Sequence, residues 1–385
     1  MNIAAHVTHA ERLANARRVV IKIGSTLFVD QQTGTLDRSW LEGVCADVAD
    51  LRRAGKDVII VSSGAVALGR RELKLDPRRA RLEESQAAAA TGQILLAHAY
   101  QEILRSFGIT AAQVLLTLDD SERRERYLNA SKTLLALLGY GAVPVINEND
   151  TVATQELRYG DNDRLAARVA QMVSAECLVL LSDVDGLYTA DPRRDESARY
   201  VEEVTELTRE FFDMAGGPGS AHGSGGMRTK LEAARIAVGA GCRMCIATGR
   251  VARPISVLLG GGRATWFLPS ATPGAARKQW IAGTLKPRGT VRVDAGAERA
   301  LVSGRSLLPA GVTAVDGQFE RGDAVSVLAA DGREIARGLI AYPADEAVRI
   351  AGRRSGEILE VLGYSGGDEI IHRDDLVLLG AKQST

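Results

Sequence analysis

The chain has 385 residues, more than one ordinary domain holds, and 45% of them are apolar, which excludes a disordered protein and allows a sizeable core. Its 48 basic and 48 acidic residues cancel, which argues against a general binder of nucleic acid or acidic membranes. Without a run of about 18 apolar residues, without a signal-like start and with only four dispersed cysteines, we expect a cytoplasmic protein that has no membrane span and no disulfide scaffold.

Short, continuous apolar runs predict strands that are buried on both faces of a sheet. The runs are Val19–Ile23, Val58–Val61, Val143–Ile146, Leu178–Leu181 and Met244–Ala247, with Val114–Leu116 as a weaker sixth. Helix-like stretches lie between them, at Leu41–Arg53, Gln86–Phe107, Glu122–Leu138, Arg164–Val173 and Thr229–Ala240. This alternation predicts an α/β fold with a doubly wound, mostly parallel sheet, whose ligands bind beyond the carboxyl ends of the strands.

The composition changes after residue 270. Residues 271–284 are rich in small side chains and predict a linker or a connecting helix. Beyond Lys286 the extended runs are short, and Asp331-Gly332 between two of them is a strong hairpin signal. We therefore expect an N-terminal extension (1–16), a large domain (17–270), a linker (271–285), a small β-rich domain (286–375) and a tail (376–385).

Two candidate site segments follow the first two strands. Lys22 interrupts an apolar run just before Gly24-Ser25. It either directs its ammonium group at a phosphate or is an edge-strand or snorkelling lysine. Ser62-Ser63-Gly64 opens a helix, where it either offers backbone N–H groups to an anion or simply caps the helix.

Two further segments precede later helices. Gly160-Asp161-Asn162-Asp163 carries more polar groups than a helix cap needs, which favours a function. The glycine-rich stretch Gly216–Met227 leads into Arg228-Thr229-Lys230, and it is either a phosphate cover or a surface linker. The common nucleotide signatures are absent, so an ATP site would be of another type. No cysteine or histidine spacing is typical of a metal site, and we predict no structural metal.

In order along the chain, six segments resemble the amino acid kinase family: V-V-I-K-I-G-S (19–25), V-S-S-G-A-V-A-L-G (61–69), V-P-V-I-N-E-N-D (143–150), G-D-N-D (160–163), L-S-D-V-D-G-L-Y-T-A-D-P (181–192) and G-G-M-R-T-K (225–230). The N-E-N-D and G-D-N-D segments are similar to those of the members that phosphorylate the side-chain carboxylate of L-glutamate. The stretches S-L-L-P-A-G-V (306–312) and R-I-A-G (349–352) resemble a PUA domain.

The resemblance implies a role for each matching residue. Lys22 and Lys230 would contact the transferring phosphoryl group, and Asp163 would orient both lysines. Glutamate would be held by Ser63, Asp150 and Asn162. ATP would be held by Lys22, by Ser182 and Asp183, and by the loop residues Ser224, Gly225, Gly226, Met227, Arg228, Thr229 and Lys230.

The resemblance also implies the reaction and its partners. The reaction would be the first step of proline biosynthesis, with Mg²⁺ carried mainly by the ATP phosphates. Proline would be a feedback inhibitor, a reductase would take over the acyl phosphate, and the protein would be a homo-oligomer, either a tetramer or a dimer. His222, in the glycine-rich loop, and the extension 1–16 depart from the family pattern.

The residues agree with a carboxylate acceptor. A side-chain carboxylate with a pKa of about 4.3 is already ionised at neutral pH, so its phosphorylation needs cationic groups and alignment but no base. Aspartate, N-acetylglutamate and UMP remain alternative acceptors. An RNA-binding role for the PUA-like part is disfavoured, because residues 286–375 hold 12 Lys and Arg against 15 Asp and Glu.

Overall fold

The computed structural model describes residues 8–30, 33–76, 81–152, 162–215, 226–283, 286–364 and 366–379. The chain divides into two compact units, Met1–Pro273 and Gly274–Thr385. Within the described residues the strands are β1 (Arg18–Ile23), β2 (Asp57–Ser62), β3 (Ala111–Leu116), β4 (Val143–Glu148), β5 (Cys177–Ser182), β6 (Leu187–Tyr188), β7 (Tyr200–Val201), β8 (Glu203–Val204), β9 (Arg243–Thr248), β10 (Ala264–Phe267), β11 (Gly289–Val293), β12 (Val312–Gly317), β13 (Ala324–Leu328), β14 (Glu334–Leu339) and β15 (Leu376–Leu378).

The α-helices of the described residues are α1 (His9–Ala14), α2 (Arg38–Arg53), α3 (Ala65–Glu72), α4 (Leu82–Ser106), α5 (Leu118–Glu122), α6 (Arg124–Gly139), α7 (Asn162–Met172), α8 (Arg209–Met214), α9 (Met227–Gly239), α10 (Pro254–Leu259), α11 (Pro273–Gly283), α12 (Ala295–Val302), α13 (Ala344–Ile350) and α14 (Ile358–Leu362). Short 3₁₀ turns occur at Ser25–Leu27, Asp150–Val152, Pro309–Gly311, Ser355–Glu357 and Arg373–Asp375. In this part of the chain, no helix has both the length and the apolarity needed to cross a membrane.

The first unit is built on one eight-stranded sheet with the strand order β3-β4-β2-β1-β5-β9-β10-β8. The first six of these strands are parallel, β10 runs antiparallel to β9, and β8 pairs parallel with β10. Each of the six predicted runs forms one of the six parallel strands, and the five predicted helices are α2, α4, α6, α7 and α9. The predicted α/β class with a doubly wound, mostly parallel sheet is confirmed, whereas β10 and β8 were not predicted.

The side chains of the central strand β1 alternate between two cores, as the pleat of a strand requires. Val19, Ile21 and Ile23 enter the core that contains α2 and α4. Val20 enters the opposite core, which contains α7 and α9. Lys22 is two residues from Val20, so its side chain leaves the sheet on the α7 and α9 side.

Helices α3 and α4 cross with their backbones in contact at two glycines. A Cβ on Gly92 would lie 1.8 Å from the carbonyl oxygen of Ala65, and one on Gly69 would lie 1.7 Å from that of Ala88. Glycine is therefore required at this crossing, which holds the start of α3 firmly against α4.

The short helix α1 lies in the predicted extension. Thr8 and Glu11 form a reciprocal capping box at its start. Leu13 and Ala16 are fully buried, and the guanidinium group of Arg12 lies 5.8 Å from the ring centre of Trp266. This part of the extension is thus integrated into the first unit by packing.

The second unit contains a five-stranded sheet with the order β12-β11-β13-β14-β15. Strands β13 and β14 form an antiparallel hairpin, and Gly332 has a φ of +87° in its turn, so the predicted Asp331-Gly332 hairpin is confirmed. The segment predicted as a linker or helix is largely the helix α11.

The four cysteines are buried and unbridged. Burial raises the pKa of Cys45 and of Cys177 to about 12, and it also raises the pKa of Cys242 and Cys245. They are packed thiols.

Candidate active site

A buried ionic cluster of Lys22, Asp163 and Lys230 lies at the carboxyl end of the central strand. Lys22 Nζ lies 2.5 Å from Asp163 Oδ1, and Lys230 Nζ lies 3.0 Å from Asp163 Oδ2. The Thr229 hydroxyl also lies 3.1 Å from Oδ2. Exposed fractions of 6%, 1% and 6% show that water reaches these three side chains poorly. Two ammonium groups on one carboxylate leave the cluster with one net positive charge, which suits an anionic ligand.

Asp163 is held ionised by its neighbours. Burial alone would raise the pKa of its carboxyl group, but the charges and hydrogen bonds of Lys22 and Lys230 prevail and lower the pKa to about 2. A carboxylate with so low a pKa is a poor proton acceptor at neutral pH. Its role in the cluster is therefore to orient and balance the two lysines.

Sequence reasoning left the orientation of Lys22 open, and the strand order decides it. Strand β1 is flanked by β2 and β5, so the edge-strand alternative for Lys22 is wrong. The pleat directs Lys22 towards α7, whose first turn contains Asp163, and towards α9, whose first turn contains Lys230.

Ser63, Asn162 and Asp150 lie on the β2 and β4 side of the cluster. Asn162 Nδ2 donates to Ser63 Oγ at 2.7 Å and to the carbonyl oxygen of Ser62 at 2.7 Å. Asp150 is buried at the start of a 3₁₀ turn just after β4, and this burial raises the pKa of its carboxyl group to about 6. A buried acid with a raised pKa is typical of a site that binds a cationic group of a ligand.

The other predicted residues lie on the β5 and β9 side. Ser182 ends β5, and its hydroxyl donates to Asp183 Oδ1 at 3.1 Å, while Asp183 itself is exposed. Gly226 is the N-cap of α9 and has no side chain to cap the first N–H groups; Met227, Arg228, Thr229 and Lys230 form the first turn. Arg228 is exposed and pairs with Glu232 at 3.5 Å.

Some predicted residues lie outside the described ranges. They are Ser224 and Gly225 of the glycine-rich loop, together with His222, and Gly160 and Asp161 of the segment before α7. Among the residues that are described, no three acidic, histidine or cysteine side chains are grouped as a metal site.

Two polar residues at this edge were not predicted as site residues. Asn147 lies near the end of β4, and its Oδ1 lies 3.1 Å from Asn162 Nδ2, whose two hydrogens are shared among this oxygen, Ser63 Oγ and the Ser62 carbonyl oxygen. Gln93 lies in the middle of α4 and accepts one from Asn147 Nδ2 at 2.7 Å. Asn147 belongs to a segment that carried the family resemblance, but Gln93 lies in an alanine-rich helix and carried no signal.

The strand order β4-β2-β1-β5-β9 divides this edge into two halves. Ser63, Asp150 and Asn162 occupy the β4 and β2 half, whereas Ser182, Asp183 and the start of α9 occupy the β5 and β9 half. Lys22 lies on the strand between the halves. The edge can thus hold two ligands side by side, with the cationic cluster where they meet.

Two family models match this chain. The model of the amino acid kinase family matches residues 17–248, and that of the PUA domain matches residues 289–362. A solved structure of carbamate kinase from Giardia lamblia bound to AMP-PNP is 15% identical, with a TM-score of 0.47, and covers 67% of this chain and 100% of that one.

Curated relatives match almost the whole chain. Glutamate 5-kinase from Paramagnetospirillum magneticum is 63% identical over 368 residues, which cover 96% of this chain and 99% of the relative. Glutamate 5-kinase 1 from Rhizobium meliloti is 59% identical, covering 95% of this chain and 93% of the relative. Glutamate 5-kinase from Rhodospirillum rubrum is also 59% identical, covering 93% and 96%. The chain therefore belongs to the amino acid kinase family, among its glutamate 5-kinases, and carries a C-terminal PUA domain.

Proposed function

We propose that this protein transfers the γ-phosphoryl group of ATP to the side-chain carboxylate of L-glutamate, the first step of proline biosynthesis. The product is γ-glutamyl 5-phosphate. The observation that carries the proposal is the buried cluster of Lys22, Asp163 and Lys230 between the two halves of the sheet edge, in a chain of this family.

The chemistry follows from the charges of that cluster. A carboxylate oxygen of glutamate attacks the γ-phosphorus, the bond from that phosphorus to the bridging oxygen breaks, and ADP leaves with the electron pair. No proton moves, because glutamate is already ionised. Lys22 and Lys230 neutralise the two anions that must approach, and they act in a poorly hydrated site where such interactions are strong. Asp163 holds both ammonium groups in place.

Glutamate binds on the β2 and β4 half. Its α-ammonium group pairs with the buried carboxylate of Asp150. Because this carboxylate is buried, water competes little for the contact. Ser63 and Asn162 supply the short-range polar contacts. Binding of the ammonium group would lower the raised pKa of Asp150, since an opposite charge favours the ionised form.

ATP binds on the β5 and β9 half. Ser182 and Asp183 lie at the end of β5, and the uncapped N–H groups at the start of α9, those of Gly226, Met227 and Arg228, face the phosphates, as helix starts commonly do. Ser224 and Gly225 belong to the same proposed loop. Both oxygens of Asp163 already face lysine ammonium groups, which fits Mg²⁺ held mainly by the nucleotide and by water.

The proposal extends to partners. The acyl phosphate is hydrolysed readily, so a reductase should take it over promptly. Proline as feedback inhibitor and assembly into a homo-oligomer, either tetramer or dimer, follow from the family. For the PUA domain we propose no RNA-binding role, since residues 286–375 carry a net charge of −3.

Incubation with ATP, Mg²⁺, glutamate and hydroxylamine tests the proposal, because hydroxylamine traps an acyl phosphate as a coloured hydroxamate. We expect hydroxamate and ADP in equal amounts with glutamate. Aspartate, N-acetylglutamate and UMP, assayed through ADP release, serve as alternative acceptors. Faster ADP release with one of these than with glutamate would overturn the choice of substrate.

A further inference from the structure

A chain of three buried amides connects helix α4 to the proposed glutamate site. Gln93 on α4 accepts a hydrogen bond from Asn147 on β4, and Asn147 accepts one from Asn162 at the start of α7, with distances of 2.7 Å and 3.1 Å. The three residues are 8%, 2% and 3% exposed. Gln93 is connected to the site through Asn147.

Two backbone groups determine which way the amides face. The N–H of Glu148 donates to Asn147 Oδ1 at 2.9 Å, so the amide nitrogen of Asn147 has to face Gln93 Oε1. The carbonyl oxygen of Ser62 accepts from Asn162 Nδ2 at 2.7 Å, which directs Asn162 Oδ1 the other way. Asn162 Oδ1 is buried and has no hydrogen-bond partner among the described residues.

A buried amide oxygen without a partner is costly, unless a ligand supplies the donor. We infer that Gln93 is a positioning residue for glutamate. By accepting a hydrogen bond from Asn147 Nδ2, it keeps Asn147 Oδ1 directed at Asn162 Nδ2. Asn162 Oδ1 then remains available to the substrate ammonium group. This inference rests on the proposed function, because it takes glutamate to be the ligand of Asn162.

The position of Gln93 is itself well determined. Its neighbour Gly92 forms the close crossing with α3, where a Cβ would lie 1.8 Å from the carbonyl oxygen of Ala65. Ser63 and Gly64 directly precede α3. The crossing therefore fixes α4, which carries Gln93, against the start of α3, which follows the Ser63 turn.

The test compares Gln93→Met with Gln101→Met. Both glutamines are on α4 and the chemical change is the same, but Gln101 is exposed. We expect Gln93→Met to raise KM for glutamate about tenfold, as for a weakened hydrogen bond to a charged group, with kcat and KM for ATP changed less than about threefold. Gln101→Met should match the wild type in each constant. Gln93→Glu, which retains an acceptor oxygen, should restore KM to within about threefold of the wild type.

A purely structural role would give a different result. It would lower the melting temperature of Gln93→Met without changing KM for glutamate, and that outcome overturns the inference. Failure of both Gln93→Met and Gln93→Glu to fold would overturn it as well. In an Asn162→Ala background, Gln93→Met should raise KM for glutamate by less than about twofold, because the two residues act on one contact. If the effects of the two substitutions on KM are fully additive, Gln93 does not act through Asn162 and the inference is overturned. Absence of hydroxamate from the wild type with glutamate would instead refute the proposed function itself.

Discussion

Replacement of Lys230 by methionine removes one of the two ammonium groups that face Asp163 and keeps an unbranched side chain. The lost Nζ lies 3.0 Å from Asp163 Oδ2, while Lys22 retains its 2.5 Å contact with Oδ1 and the Thr229 hydroxyl remains near Oδ2. The cluster then holds one ammonium group and one carboxylate. No buried charge is left unpaired, so folding and catalysis should respond differently.

The expected loss is in the transition state. A preorganised donor aimed at developing charge contributes about 2.7–4 kcal/mol, which corresponds to a factor of about 10²–10³ in kcat. We expect Lys230→Met to lower kcat by that factor. KM for glutamate should change less than about threefold, because α9 lies on the other half of the edge. The free energy of unfolding should change by less than about 2 kcal/mol, below the loss typical of a broken buried pair.

Hydroxamate formation at varied glutamate and ATP gives kcat and both KM values, and urea unfolding gives the stability. Lys56→Met is the matched control, since the Lys56 ammonium group donates to the carbonyl oxygen of Ala16 at 2.6 Å and takes no part in the cluster. That variant should lose stability but keep kcat. A folded Lys230→Met protein with kcat within tenfold of the wild type would refute the role of Lys230, as would an equal loss in Lys56→Met.

Three further predictions follow from the same geometry. Asp163→Asn leaves two ammonium groups buried without a carboxylate. Urea unfolding should show a free energy of unfolding lower by about 3–5 kcal/mol, and kcat should fall as well. A free energy of unfolding equal to that of Lys230→Met would contradict this. Asp150 has a pKa of about 6 and binds the ammonium group only when ionised, so KM for glutamate should rise as pH falls from about 7 to 5. Asp150→Asn should show a high KM for glutamate that no longer depends on pH. A wild-type KM that stays constant over this pH range would rule out this role. Gly92→Ala forces α3 and α4 apart and should lower the free energy of unfolding by about 1–3 kcal/mol, as measured by thermal unfolding. Gly139→Ala, with open space around the added Cβ, should not lower it. Equal unfolding midpoints for the two variants would refute the requirement for glycine at the crossing.

Local patterns were sufficient for most of the sheet and its helices. Leu178–Leu181 is a continuous apolar run, and Val19–Ile23 is one apart from Lys22. Such runs are typical of strands covered on both faces, and β1 and β5 are such strands. Asp331-Gly332 forms the turn it predicts because glycine adopts the positive φ at no steric cost. These features depend on near neighbours along the chain, and so they can be read before the fold is known.

Strand β10 shows where this reasoning fails. Its four residues, Ala264–Phe267, include Thr265, whose hydroxyl is needed inside the fold because it accepts from the N–H of Leu187 at 2.7 Å. A polar residue in so short a run removes the apolar signal. The partner that makes a buried hydroxyl acceptable lies far along the sequence, and no local pattern reveals it.

The site divides in the same way. Family motifs were enough to name Lys22, Asp163 and Lys230, but the order of residues along the chain left Lys22 either snorkelling or aimed at a phosphate. Packing of β1 between β2 and β5, with the pleat turned towards α7 and α9, places its ammonium group on Asp163. Gln93 carries no sequence signal of its own, and it meets Asn147, 54 residues away, only in the folded chain. Charge pairing and amide orientation depend on distances of a few ångströms between remote segments, and those distances exist only once the sheet has assembled.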